Sequence, residues 1–291
     1  MPAEAEAVDT PLRWHREDPE CRWGLRGGRY TRVNILFTGI LAAILSAVFL
    51  GGLLALPDRW AGYADIILRR GPTQYATVFL AAWSLLFLWI KWRKLRVQRA
   101  ALNYSVTPDR PDFVLSPLTA DEVVHRIYAL ADEPQAYILY NRILLALSNL
   151  RNLGRVTDVD DILRSIAGQD ESALETSYSL VQGFVWAIPV LGFIGTVLGL
   201  SQSIAAFSQV LAGGGDVNSL TNGLRHVTAG LATAFDTTLV ALVAALVIQM
   251  IITSLRKAEY EFLESCSEYC SRHIVGRLRL TMEESREPEH A

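Results

Sequence analysis

The chain has 291 residues, 51% of them hydrophobic, with a mean hydropathy of +0.24 and a formal net charge of −3. So near-neutral a balance offers nucleic acid no basic surface, and the apolar residues gather in blocks instead of recurring with the period of a soluble helix or strand. Three cysteines, Cys21, Cys266 and Cys270, cannot all pair and outline no disulfide framework.

Residues 1–32 form a polar N-terminal segment holding Arg13, Arg16, Arg22, Arg26, Arg29 and Arg32. The first apolar run starts after about thirty polar residues and lacks a small-residue cleavage pattern, so it reads as an anchor and not a leader. That run, residues 33–56, predicts a first transmembrane helix: about 24 residues, or roughly 36 Å, suffice for a bilayer core. An external loop, 57–74, carries Arg59, Arg69 and Arg70 among Asp58 and Asp65. Residues 75–92 predict a shorter second span, with interface anchors among Trp83, Trp89 and Trp92. Lys91, Arg93, Lys94, Arg96 and Arg99 close that span, and Arg256 and Lys257 follow the last one. With the N-terminal arginines they place both termini and the middle segment in the cytoplasm by the positive-inside rule.

Residues 93–177 have the character of a small helical cytoplasmic domain. Thr107–Pro117 is Pro-rich and reads as a linker. Thr119 with Glu122 has the spacing of a capping box opening a helix through Leu130. Pro134 predicts the start of the next helix, whose Ile138, Leu139, Ile143, Leu144 and Leu147 make a core-facing stripe. Thr157 is placed to cap a third short helix, and a last helix from about Asp170 is expected to run directly into the third span. Neither a repeat nor a strand pattern stands out.

Residues 178–211 and 224–255 predict spans three and four, joined by an external Gly-rich turn, 212–223, that lacks Lys and Arg. Both spans exceed the roughly 20 residues needed, so they are expected to tilt or to project beyond the bilayer. Residues 256–291 read as a cytoplasmic helix and tail. Its Glu259, Glu261, Glu264, Glu268, Glu283 and Glu284 are expected on a solvated helix extending span four. Cys266, Cys270 and His273 share one side of that helix, but without a fourth ligand nearby they read as reduced cytoplasmic residues and not as a metal site.

The last two spans carry an odd polarity. On a helical wheel Gly192, Gly195, Thr196, Gly199 and Ser203 fall within about a third of the circumference, opposite Val190, Ile194, Val197 and Ile204. In span four His226, Gly230, Thr233, Thr237, Ala241 and Ala244 share a face, with Asp236 at its edge. One reading is close packing, with Thr196 and Ser203 bonding back to their own carbonyls. The other is a narrow conduit in which the Thr hydroxyls hold water or pass a proton. An ionised Asp236 in lipid costs at least about 2.5 kcal/mol, so it faces protein or water or is protonated; packing and titration both remain open. Pro189 removes a backbone bond within span three, which marks either a hinge or the start of a packed helix. His226 fits either an entry-side proton group or an interfacial polar residue.

At these residues the sequence resembles the MotA/TolQ/ExbB proton channel family. The segment Pro189–Leu200, reading PVLGFIGTVLGL, looks like that family's Gly-Thr-rich third-helix motif, and Gly230–Leu239, reading GLATAFDTTL, is similar to its second motif. The resemblance covers roughly residues 178–257. It implies a homo-oligomer, typically a pentamer, around the paired single-span helices of an ExbD/TolR/MotB-like partner that carries an Asp in its membrane helix. Proton or sodium flow at that interface drives rotation or a conformational cycle, and the residues matching Thr196 and Thr233 line the path. Four spans with a loop after the second resemble the flagellar-stator branch; Gly195-Thr196-Val197 and the short turn look more like the TolQ and ExbB branches. Asp236 departs from the family, standing where many relatives have a small residue.

The chain therefore reads as an all-α membrane protein of four transmembrane helices, the last two long and projecting into the cytoplasm, plus a small helical cytoplasmic domain. The expected setting is the bacterial inner membrane. The expected function is a channel subunit of an ion-driven motor, with Thr196, Thr233, Thr237 and Asp236 along the pathway. Gly192, Gly195, Gly199 and Gly230 are expected at helix-packing or oligomer contacts, and Pro189 at a hinge. No cofactor beyond the transported H⁺ or Na⁺ is expected, and without a nucleophile motif or phosphate loop the chain does not read as an enzyme. The rival reading is a non-conducting oligomeric scaffold or signalling component.

Overall fold

The computed structural model describes residues 11–21, 30–55, 71–108, 113–116, 119–153, 156–212 and 217–278; at 149, 151–153, 156–158, 218, 219 and 233 the description is of backbone only. The Gly213–Gly215 turn, most of the loop after the first span, Arg22, Arg26 and Arg29, and Glu283 and Glu284 lie outside the described residues. The described chain is helical, with two isolated β-bridges, Leu12 with Ala131 and Leu115 with Leu278. Its main helices are α1 (Ile35–Leu54), α2 (Pro72–Ala100), α3 (Ala120–Leu130), α4 (Ile138–Leu153), α5 (Val156–Ser177), α6 (Ser179–Ala212) and α7 (Val217–His273). Among the described residues four helices are long and apolar enough to cross a membrane, and these fall on α1, α2, α6 and α7. The chain divides into two compact units.

The apolar unit comprises Asn34–Trp89 and Tyr178–Leu255. Asn34 caps α1, its side chain accepting from the Leu36 and Phe37 N–H groups. This satisfies donors that the first helical turn leaves without partners. Along α1 the small residues Ala42 and Ser46 are buried while Leu36, Ile40, Ile44 and Val48 are exposed. Aliphatic side chains outside and small ones inside is the pattern of a helix solvated by lipid and packed through its small face. Trp83 of α2, an expected interface anchor, packs instead within the unit. Its Nε1 donates to Thr38 Oγ1 at 3.1 Å, and its ring lies 4.8 Å from that of Phe184. Gly39 makes room for it, because a Cβ there would stand 2.9 Å from the indole.

The polar unit comprises Met1–Val33, Ile90–Ser177 and Arg256–Ala291. Its core is built on α4, where Leu139, Tyr140, Ile143, Ala146, Leu147 and Leu150 are buried. These recur at the three- and four-residue intervals of one helical face. Val123 and Ile127 of α3 are also fully buried, and Trp14 meets Tyr137 edge to face at 5.3 Å.

Several local expectations are corrected here. Thr119 precedes α3 but makes no side-chain cap bond; its hydroxyl donates to the Val114 carbonyl and accepts from the Ser116 N–H. The preceding turn outcompetes the cap for the same hydroxyl. Pro134 opens a single 3-10 turn, Pro134–Ala136, and the helix begins at Ile138. The expected third short helix and the one from Asp170 are a single helix, α5, so Asp170 is interior to it and a break at Tyr178 precedes α6.

Glu259, expected on a solvated face, is 1% exposed and pairs with Lys91, itself 0% exposed, at 3.0 Å. The same Lys91 Nζ donates to Thr31 Oγ1 at 3.1 Å and to Ser177 Oγ at 2.9 Å. Lys94 is likewise buried; it pairs with Glu20 and with Asp18 and donates to the Arg32 carbonyl. Charges so deep are tolerated only when paired and hydrogen-bonded, which is what these clusters supply.

The Gly–Thr seam of the apolar unit

The candidate site is the contact line between α6 and α7, built from residues that leave almost no side chain between the two backbones. On α6 the residues turned inward are Ile188, Gly192, Gly195 and Ser203, spaced by four, three and eight; on α7 they are Ala234, Thr237, Ala241 and Ala245. Such spacing holds one face of a helix toward its neighbour.

At Gly192 an added Cβ would stand 2.6 Å from Ala241 Cβ and 3.2 Å from Thr238 Cα. At Gly195 it would stand 2.9 Å from Thr237 Oγ1 and 3.0 Å from Thr73 Oγ1. Gly199 is looser, with Ala234 Cβ at 3.6 Å. At Gly230 a Cβ would overlap the Ser203 side chain, so Ser203 requires a glycine opposite it. Small residues thus permit a close backbone approach that no other side chain allows. A polar bond crosses the seam: Thr238 Oγ1 donates to the Gly192 carbonyl at 3.0 Å. That carbonyl lies four residues before Thr196, within a helix that runs unbroken through Pro189.

The expected pathway residues divide. Thr237 is 1% exposed in the seam, donating to the Ala234 carbonyl at 2.8 Å. Ser203 donates to the Gly199 carbonyl at 2.8 Å. Thr196 stands half-exposed beside the seam and donates to the Phe193 carbonyl at 2.6 Å. Asp236 is also half-exposed. It lies about 100° round the helix from Thr237, off the line of Ala234, Thr237 and Ala241. Thr233 belongs to α7, but its side chain lies outside the described residues. His226 is exposed. Of the face expected on span four, Ala245 and not Ala244 is fully turned in, and Ala234 stands in the seam line.

Two participants escaped sequence reading. Thr238 sits just past the expected stripe, and nothing local distinguishes it from Thr237. Thr73 comes from α2, more than a hundred residues away in sequence; no periodicity in its own segment links it to Gly195.

In the polar unit, Cys266 and Cys270 are buried and His273 stacks on Tyr269 at 4.4 Å between ring centroids. Among the described residues no group of three or more His, Cys, Asp or Glu side chains is placed to hold a metal ion.

Comparison with known proteins returns one relationship. Neither the curated proteins nor the solved structures include a match to this chain. The model of one family matches residues 131–267, a stretch that takes in α4 through most of α7 and hence the whole seam. The resemblance carried by the Pro189–Leu200 and Gly230–Leu239 motifs is thereby a relationship over a longer stretch than those motifs: residues 131–267 carry the MotA/TolQ/ExbB proton channel family pattern.

Proposed function

We propose that the protein is a proton or sodium channel subunit of an inner-membrane motor or energy-transducing complex. In this reading several copies, five by analogy with the family, surround the paired helices of a single-span partner bearing a membrane Asp. Ion flow along that interface is coupled to rotation or force. The observation that carries the reading is the seam itself: two apolar helices joined by glycines, with Thr196, Thr237 and Thr238 along one stretch, inside the segment matched by a proton channel family. Phe193, Phe235, Leu239 and Leu246 are each more than 60% exposed on the same helices, an apolar surface suited to lipid and to neighbouring copies.

The roles in this reading are those the family resemblance implies. Thr196 and Thr233 line the path, Thr237 holds the wall against Gly195, and Asp236 tunes the path from the flank. The test is ion uptake into vesicles containing the chain and its partner, with assembly monitored separately. Thr196→Val and Thr233→Val keep shape but remove the hydroxyl, and both are expected to abolish uptake while leaving assembly intact. Full uptake by both variants refutes the pathway. Asp236→Asn separates its two roles: unchanged ion coupling assigns it to packing.

One observation favours the rival, a non-conducting scaffold: the hydroxyls of Thr196, Ser203 and Thr237 all donate to carbonyls of their own helix. A scaffold predicts function that persists when a protonophore collapses the gradient.

A further inference from the structure

Two lysines and three arginines crowd the last turns of α2, and the fold divides them by kind. Lys91 and Lys94 turn inward and are buried, where Glu259, Glu20 and Asp18 pair with them. Arg93, Arg96 and Arg99 are exposed, together with Trp92. At 100° per residue these four span about a third of the circumference, on the side away from the lysines. From Pro72 to Ala100 α2 contains neither Asp nor Glu, so the arginine face has no carboxylate on its own helix.

Arg96 and Arg99 enter no ion pair among the described residues. Arg96 stands over the Trp92 ring, its Cζ 3.9 Å from the centroid. A cation–π contact satisfies no hydrogen-bond donor, so the N–H groups of Arg96 stay available to acceptor oxygens. Arg99 Nη2 donates to the Ala258 carbonyl at 2.7 Å, which sets this face beside α7. There Lys257 adds an exposed amine, 3.8 Å from the Glu261 carboxylate.

The position on the helix names the anion. Trp92 follows directly on the apolar run that makes α2 long enough to span a membrane. A tryptophan at such a junction lies at headgroup level. Arg96 is about 6 Å further along the axis, within the roughly 5–7 Å depth of the headgroup layer. The anions met at that depth are lipid phosphates, whose oxygens suit the guanidinium fork.

We propose that Trp92, Arg93, Arg96 and Arg99, with Lys257 beside them, form a surface that selects anionic phospholipid headgroups from the surrounding bilayer. The proposal concerns lipid binding and stands whether or not the chain conducts ions.

The test uses the full-length chain in phosphatidylcholine vesicles containing an equal fraction of either brominated phosphatidylglycerol or brominated phosphatidylcholine. Bromine quenches nearby indoles, and subtracting the same measurement on Trp92→Phe isolates the signal of Trp92. An arginine near an anionic surface contributes about fivefold in binding. The expected result is a preference for phosphatidylglycerol of about tenfold in the unmodified chain, falling close to parity in the double variant Arg96→Gln with Arg99→Gln. Arg164→Gln removes an equal charge from the exposed side of α5 and should leave the preference unchanged. Unfolding temperatures verify that each variant is folded. Equal quenching by the two lipids in the unmodified chain overturns the proposal. So does a preference that survives the double variant, or one that Arg164→Gln lowers as much. Trp92 shielded from both lipids overturns it as well, because another protein surface then covers the face.

Discussion

Gly192→Ala is the most informative single change in the seam. The new methyl would stand 2.6 Å from Ala241 Cβ, whereas carbon atoms in good contact sit at about 3.5–4.0 Å. Neither partner can swing away, since one atom is a Cβ with no rotamer and the next is the Thr238 Cα. The helices must therefore part locally by about 1 Å. That stretches the 3.0 Å bond from Thr238 Oγ1 to the Gly192 carbonyl beyond hydrogen-bonding range. Overpacking of this kind costs about 1–3 kcal/mol. Loss of a membrane interhelical bond adds about 0.6 kcal/mol. The better helix propensity of alanine returns about 1 kcal/mol. The net expectation is a destabilisation of about 0.6–2.6 kcal/mol, or about a three- to 80-fold shift in the unfolding equilibrium.

The assay is reversible denaturant unfolding in mild detergent of a graded series. Gly199→Ala meets its first neighbour at 3.6 Å, and Gly183→Ala, in the same helix, meets none within 4 Å. Both should be neutral or slightly stabilised. Adding Ala241→Gly to Gly192→Ala removes the 2.6 Å clash and should recover most of the loss, so the two sites couple strongly in a double-mutant cycle. Equal stability of Gly192→Ala and Gly199→Ala, or additive effects in the cycle, would refute the close-approach account.

Two further predictions concern the polar unit. Glu259→Gln leaves Lys91 charged and buried without its carboxylate, which should cost about 3–5 kcal/mol, whereas the double variant Lys91→Met with Glu259→Met should approach the parent in thermal unfolding. A single variant as stable as the double would mean that the pair is not desolvated. Maleimide labelling of the native chain should modify Cys21, which is half-buried, and spare Cys266 and Cys270, which are buried; denaturation should expose all three. Rapid native labelling of either buried cysteine would contradict its packing.

Much of the helical architecture is legible in the linear chain because its causes are local. A block of apolar residues long enough for a bilayer core needs no tertiary partner to be recognised, so four candidate spans and an all-helical class follow from hydropathy and spacing. The Gly192, Gly195 and Gly199 face is equally local, since 3.6 residues per turn decide which side chains share a side. Which atoms those faces meet is another matter. That Gly192 lies against Ala241, that Thr238 crosses to its carbonyl, and that Thr73 reaches Gly195 are choices among partners far apart in sequence.

Charge proved the least legible property. Lys91 and Glu259 look locally like ordinary solvated charges, one at the end of an apolar run and one in an acidic stretch. Only folding brings them within 3.0 Å and removes both from water. The same holds for Arg142, an unremarkable basic residue in sequence until Asp170 of α5 and Ser267 of α7 take up its guanidinium. Where the apolar spans lie and which of their faces are small or apolar can be read from the linear chain, because backbone periodicity and transfer energy act residue by residue. Which charges are buried and which threonine crosses the seam depend on the folded arrangement. Burial and pairing are properties of two or more segments at once, and no single segment encodes its partner.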